Sequence, residues 1–564
     1  MQANQKQLLI AGAKNMTTDR LIVEVTKHTL TYISEEMGVA LKKSAYSPNI
    51  RERADHSCAV LDAFGRTIGQ AEHIPVHIGS LPLGLRNTLA NLKNRGIEPR
   101  PGEMYFLNDP YIAGTHLNDV TVLRPVFLSG RLIGYTANKA HHVDVGGMSP
   151  ASISIRATDL SQEGVVIAPT KLVKSDQMLM HVANGFAHKT RMPGVVLGDL
   201  RAQVAANLLG DKRLVELVSK VGIDTFTNAC TSILDQTHKF TLTEYEKMPK
   251  GTFIGEDCLE LDEAILPIRC TVHLMHDGVE VDFAGTSPQV SVPLNAVLGV
   301  TTSAVTFAIK SLMPAELPPN DGFNRTIIID APLGCIVNPV KPAPVAGGNL
   351  ETSQRIVDTV FRALIEAMPD RLPAASHGSM NNLMMGGLLQ TGEPWAFYET
   401  IGGGYGGRLG LDGVDGVQVN MTNTLNTPIE VMEHYLPIIF ESYGLRSGSG
   451  GTGRWRGGVG IERSLTAQAR IQVTLLGERK KIWPWGYKGG LPGQGSEYMI
   501  RKPDGTISPL KAKDSAVLAP SETLIIRTAG GGGYGDPKKR DPRLAAEDLE
   551  NEYTIGENIS TRSS

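Results

Sequence analysis

TVLRPVFLSGRLIGYTANKAHHVDVGG, residues 121–147, carries β-branched and aromatic residues on both sides of Ser129 and Gly130. That pattern predicts two antiparallel strands joined by a tight turn. Immediately upstream, AGTHLNDV (113–120) feeds the first of these strands and sets His116 and Asp119 three residues apart at its mouth. Further upstream, SCAVLDAFGRTIGQ (57–70) reads as two more short strands around a turn at Gly65. Between them, SLPLGLRNTLANLKNRG (80–96) has a serine cap, an early proline and a closing glycine, the punctuation of one helix. A long opening helix is expected up to about Ser44, with Leu21, Val25, Ile33 and Met37 near helical spacing and Thr17, Thr18 and Asp19 as N-cap candidates. The first third of the chain is therefore α+β.

Outward from there, DLRAQVAANLLG, DKRLVELVSKVG and DTFTNACTSILDQTHKFTLTEYEKM (199–248) read as helices broken by glycine or proline. PIRCTVHLMHDGVEVDF (267–283) predicts a second hairpin around Asp277 and Gly278. An apolar helix is expected near 300–313, then a proline-rich crossing, NPVKPAPVAGGN (338–349). After it, Val357, Val360, Phe361, Leu364 and Met368 define a buried helix. From 390 onward glycine density rises and helical periodicity disappears until DPRLAAEDLENEY, so a loop-rich β region is expected. The expectation is a multi-domain α+β chain: an α+β domain at 1–250, an α+β middle domain at 251–390, and a glycine-rich β domain with a C-terminal helix at 391–564. No internal repeat is visible.

The 564 residues suffice for two to four cores. A formal net charge of -3 gives no electrostatic reason to expect nucleic acid, and no apolar run reaches the roughly 18 residues of a membrane span. The N-terminal MQANQKQLLIAGAKN has too short an apolar core for a secretory signal, so a cytoplasmic protein is expected. Cys58, Cys230, Cys258, Cys270 and Cys335 lack C-x-x-C spacing and read as reduced thiols.

Six of the fourteen histidines, His56, His73, His77, His116, His141 and His142, fall within residues 56–142, interleaved with Asp55, Asp109, Asp119 and Asp144. Imidazole mixed with carboxylate suits zinc, manganese or iron, whereas magnesium or calcium would favour oxygen alone. An isolated H-x-x-D pair is more often turn chemistry; the clustering is what raises a metal site. His116 and Asp119 can converge on one ion, His141 on the return strand can reach the same end of the sheet, and Asp55 can add a fourth ligand. His141 and His142 would face opposite sides of a strand, so at most one reaches the ion.

The glycine-rich ETIGGGYGGRLG (399–410) and AGGGGYGDP (529–537) lack the lysine and hydroxyl of a phosphate loop, and read as tight turns or close backbone packing. No G-x-S-x-G elbow is present.

FLNDPYIAGTHLNDVTVLRPVF, NKAHHVDVGG, GGNLETSQRIVD, MTNTLNTPIEVME, GTGRWRGGVG and GGGGYGDPKKRDP resemble, in order, the signature segments of the hydantoinase B/oxoprolinase family from about residue 18 to 545. The resemblance implies the metal-binding subunit of an ATP-dependent enzyme, with zinc or manganese held by Asp55, His116, Asp119 and His141. It also implies ATP and magnesium on a hydantoinase A-type ATPase partner, in paired heterodimers. The expected activity is hydrolysis of a cyclic amide (a hydantoin, 5-oxoproline or lactam); the alternative is an acetone or acetophenone-type ketone carboxylase using bicarbonate. The first is preferred because the chain lacks the long extension of acetone carboxylase large subunits. His73 and His77, in AEHIPVHIGS, are candidate general bases. A scaffold subunit whose metal site has lapsed is the remaining reading, against which the presence of both His116 and Asp119 counts.

Overall fold

The computed structural model describes residues 19–555, except Glu72 and Glu263. The candidate caps Thr17 and Thr18 and the N-terminal stretch 1–15 lie outside the described residues. Asp19 caps the opening helix, Arg20–Ser44, by accepting a 2.9 Å hydrogen bond from the Leu21 amide.

The first sheet holds β1 (His56–Asp62), β2 (Thr67–Gln70), β3 (Met104–Leu107), β4 (Asp119–Leu128), β5 (Arg131–His141), β6 (Thr170–Lys174) and β7 (Gln177–Met178). They are ordered β2-β1-β5-β4-β3-β6-β7, with every neighbouring pair antiparallel. The β4–β5 turn is made by Ser129 and Gly130, both at positive φ (49° and 78°), the geometry that matches the twist of paired strands. Successive side chains of β1 serve opposite faces. Cys58 and Val60 pack under the opening helix, while Ala59 and Leu61 pack under helix Ser80–Asn94. Both faces are covered, which is why β1 and β2 are buried throughout.

Two local expectations are corrected. Gly210 does not break the helical region: Pro193–Val221 is one continuous helix, followed by Ile223–Glu246. A Cβ at Gly210 would collide with Met37 Sδ and crowd Thr136, so this glycine is the point where helix, helix and sheet meet. Tertiary packing outweighs the roughly 1 kcal/mol helix cost of glycine. Ser80 is not the cap of its helix: its hydroxyl donates to Val76 O, and the amides of Gly79 and Ser80 donate instead to Ser303 Oγ on helix Leu298–Lys310.

The second sheet has β8 (Gly251–Leu261), β9 (Ala264–Leu274), β10 (Val279–Asp282) and β11 (Ile327–Asp330), ordered β11-β10-β9-β8. The hairpin expected at Asp277-Gly278 is β9–β10, and β9 also pairs along its length with β8. The expected buried helix is Ser353–Leu364, in which only Arg362 is exposed. It shares a core with Val272, Leu259 and Val305.

The remaining strands are β12 (Asn382–Leu388), β13 (Pro394–Glu399), β14 (Ile438–Arg446), β15 (Gly460–Ala467), β16 (Ile471–Leu476), β17 (Glu497–Arg501), β18 (Ile507–Pro509), β19 (Lys513–Leu518) and β20 (Thr523–Arg527). They form sheets β13-β12-β16-β19 and β14-β15-β20-β17-β18. The glycine-rich stretches interlock backbone on backbone: a Cβ on Gly531 would strike Tyr405 O, and one on Gly457 would strike Gly531 O. Close packing of main chains, as read from the sequence, is their role. A short helix, Ile429–Tyr435, interrupts this β-rich part, and the expected C-terminal helix is Pro542–Glu550.

The chain is thus a mixed α+β structure with several separate sheets. Residue 250 falls between helix Ile223–Glu246 and β8, and residue 390 in the β12–β13 turn. The largest core runs across both, from Ile74 to Leu476. None of the described helices is long and apolar enough to cross a membrane.

Candidate metal centre

Strand register builds the site. β4 begins at Asp119 and β5 ends at His141, and these two residues are paired. β1 lies on the other side of β5, with His56 opposite Ala140, so Asp55 arrives beside His141 and its carbonyl accepts the His141 amide at 3.0 Å. The turn before β4 is closed by the Asp119 amide donating to His116 O at 3.1 Å, which folds His116 back over Asp119. Lys139, fully buried on β5, fixes this turn by donating to Ala113 O (2.9 Å) and Thr115 Oγ1 (3.1 Å).

Three buried donor atoms converge. His116 Nε2 lies 3.2 Å from Asp119 Oδ1 and 3.1 Å from His141 Nδ1, and His141 Nδ1 lies 3.3 Å from Asp119 Oδ1. Asp55 Oδ2 stands 3.9 Å from His141 Nδ1. A tetrahedral cation with bonds of about 2.0 to 2.1 Å separates its ligands by about 3.3 Å, so this triangle has the size such an ion needs. Protonation also fits. Burial alone would raise the Asp119 carboxyl, but His116, His141 and His77 outweigh it and hold it well below its usual range. Burial pushes His141 down, keeping its imidazole neutral and its lone pair free. The second carboxylate oxygen of Asp119 faces His77 Nε2 at 3.4 Å, and His77 Nδ1 meets Ser57 Oγ at 3.0 Å, an outer arrangement that orients the ligand.

The donors face a small cavity of about 280 Å³. Its apolar wall includes Ile74, Val76, Leu350, Met380 and Met421. Tyr398 stacks on His141, with ring centroids 4.8 Å apart at 17°, and its hydroxyl donates to Asn382 Oδ1 at 3.0 Å. The Arg53 guanidinium sits 4.7 Å from the Tyr398 ring. The structure therefore brings together Asp55, His77, His116, Asp119 and His141. It does not bring His73 to the cavity: His73 Nε2 is 3.0 Å from Glu35 Oε2, and its ring lies against His56. His142 turns to the other face, where Nε2 meets Gln203 Oε1 at 2.9 Å. Sequence reasoning missed Tyr398, Asn349 and Met380 as cavity residues. The only signal was GGNLETSQRIVD, which contains Asn349 and Leu350 without revealing what they face.

Fold and site together define a mixed α+β chain with a candidate His–Asp–His metal centre on a cavity between its sheets. Residues 19–537 match the hydantoinase B/oxoprolinase family, and the chain belongs to that family. It is 47% identical over 534 residues to an uncharacterized protein of Methanocaldococcus jannaschii, covering 95% of this chain and 94% of that one. A Pseudomonas sp. (strain NS671) protein described as one of the subunits of a D-/L-hydantoinase is 31% identical over 94% of this chain and 92% of its own. The 5-oxoprolinase of Dictyostelium discoideum is 31% identical over 94% of this chain, but the match takes in 42% of that enzyme, so the chain spans about two-fifths of its length. Among solved structures, the ATP-dependent caprolactamase of Pseudomonas jessenii superposes with a TM-score of 0.89 at 26% identity, covering 96% of this chain and 98% of that one. Acetone carboxylase gives a TM-score of 0.88 at 20% identity over 95% and 78%, a likeness of fold.

Proposed function

We propose that this chain is the metal-holding subunit of an ATP-dependent cyclic-amide hydrolase, acting with a hydantoinase A-type ATPase in paired heterodimers. The observation that carries this reading is the buried triangle of His116, Asp119 and His141 at the mouth of a cavity. The match to a caprolactamase over nearly its whole chain supports it.

An amide carbonyl is a poor electrophile because nitrogen donates into it. Phosphorylation of its oxygen by the partner, with ATP as donor, makes the carbon open to water, after which the ring C–N bond can break. A zinc or manganese ion held by His116, Asp119 and His141, with Asp55 close enough to join, would supply Lewis-acid polarisation of an oxygen. Asp119 stays anionic and fixes both histidines. His77, which lines the cavity and touches Asp119, is the residue placed to take a proton from attacking water, whereas His73 is held by Glu35. The apolar wall keeps bulk water from an activated substrate.

The test is turnover by the chain reconstituted with its ATPase partner, offered ATP and ε-caprolactam, 5-oxoproline or hydantoin, with and without bicarbonate. ADP and a ring-opened product without bicarbonate are expected. Product formed only with bicarbonate, from a ketone, contradicts the reading.

A further inference from the structure

The cavity contains one neutral polar side chain whose hydrogen-bonding capacity is unused. Asn349 lines it, is 3% exposed, and its Oδ1 has no partner among the described residues. The other neutral polar groups of the lining are engaged. Thr400 Oγ1 meets Thr424 Oγ1 at 2.7 Å and accepts from Arg53, Thr422 Oγ1 meets Thr424 Oγ1 at 3.3 Å, and the Tyr398 hydroxyl is donated to Asn382. A buried carbonyl left unpaired is unfavourable, and such a group in a ligand cavity usually awaits a donor.

The backbone holds Asn349 in place. It sits in a single π-helical turn, Gly348–Thr352, ahead of helix Ser353–Leu364, and π-turns of this kind concentrate at functional sites. Gly348 lies so close to Asn295 that a Cβ would strike the Asn295 carbonyl, and Gly347 is similarly pressed on Pro293 O. Ser353 Oγ donates to the Asn349 carbonyl at 2.8 Å, and Thr352 Oγ1 donates to Leu294 O. The side chain is therefore presented from a clamped main chain rather than from a loose loop.

We propose that Asn349 is a specificity-determining residue whose Oδ1 accepts the ring N–H of the substrate, selecting secondary cyclic amides over N-alkylated amides and ketones. The proposal rests on the cyclic-amide reading of the same cavity. A lactam carries its N–H fixed beside the carbonyl that must meet the His–Asp–His centre, so one acceptor opposite that centre sets the ring's orientation. A site with a buried acceptor rejects an analogue that lacks the donor, because the acceptor is then left unpaired.

The experiment compares wild type with Asn349→Leu and Asn349→Ser, using ε-caprolactam, 2-pyrrolidone and their N-methyl derivatives. Two quantities are read: Kd for the chain by calorimetry, and kcat/KM in the complex with the ATPase partner. Metal content and thermal unfolding establish that each variant is intact. Wild type should prefer the N–H compound by about tenfold to a hundredfold. Asn349→Leu should bring that ratio close to one, and Asn349→Ser, which keeps an acceptor, should restore part of it. An unchanged ratio in Asn349→Leu, or no N–H preference in wild type, overturns the proposal. Loss of the binding preference in Asn349→Leu, in a complex that opens no lactam ring, would sustain the subsite and overturn the hydrolase reading instead.

Discussion

Asp119 and His141 are directly opposed across β4 and β5, and their side chains meet at 3.3 Å. The hairpin that pairs them also delivers His116 from the preceding turn, while β1 delivers Asp55. One sheet edge thus assembles the donor set, so the site inherits the rigidity of a fully buried sheet. Loops contribute only His77 and the cavity wall.

The two candidate bases should separate cleanly. In the reconstituted complex, His77→Gln is expected to lower kcat by about a hundredfold, the usual scale for loss of a proton-transfer group. His73→Gln should stay within about twofold, because its imidazole faces Glu35 outside the cavity. Equal losses in both variants would show that the cavity does not distinguish them.

Arg53 couples the first sheet to the third. It is fully buried, donates to Tyr398 O at 2.9 Å and Thr400 Oγ1 at 3.2 Å, and lies over the Tyr398 ring. Arg53→Ala leaves the Tyr398 carbonyl without this donor and removes the support behind the ring stacked on His141. Stability should fall by about 3 kcal/mol, read as a lower urea midpoint at unchanged slope.

Acid sensitivity should trace in part to His377. Burial pushes it down to about 3, against about 6.5 for an unfolded histidine. Its folded pKa is the lower, so between pH 6.5 and about 3 the unfolded chain binds a proton that the folded one refuses. Stability present above pH 6.5 is therefore lost as pH falls through that window, at about 1.4 kcal/mol per pH unit. His377→Gln should flatten the dependence of unfolding free energy on pH between 6 and 4 by about that slope. Identical slopes would contradict a buried neutral imidazole.

Much of this site was legible because it is local in register. Ser129-Gly130 announced a hairpin, and a hairpin beginning at Asp119 must return near His141; period-two alternation likewise separated His141 from His142. His77 was legible only as a histidine near the cluster, and His73 was indistinguishable from it, since both precede the same helix. Tyr398 and Asn349 were not legible: they reach the cavity through strand and helix packing across more than 200 residues of chain, which leaves no periodic trace. Gly210 misled for a related reason, since a glycine that admits a neighbouring helix looks, in sequence, like one that ends its own.

The metal content of the purified chain, measured by plasma mass spectrometry beside His116→Ala, tests the central claim most directly. About one zinc or manganese per chain, lost in the variant while assembly with the ATPase partner persists, is the predicted result. No metal in either protein after supplementation would contradict it, leaving His116 and Asp119 as turn residues and moving the chemistry to the partner.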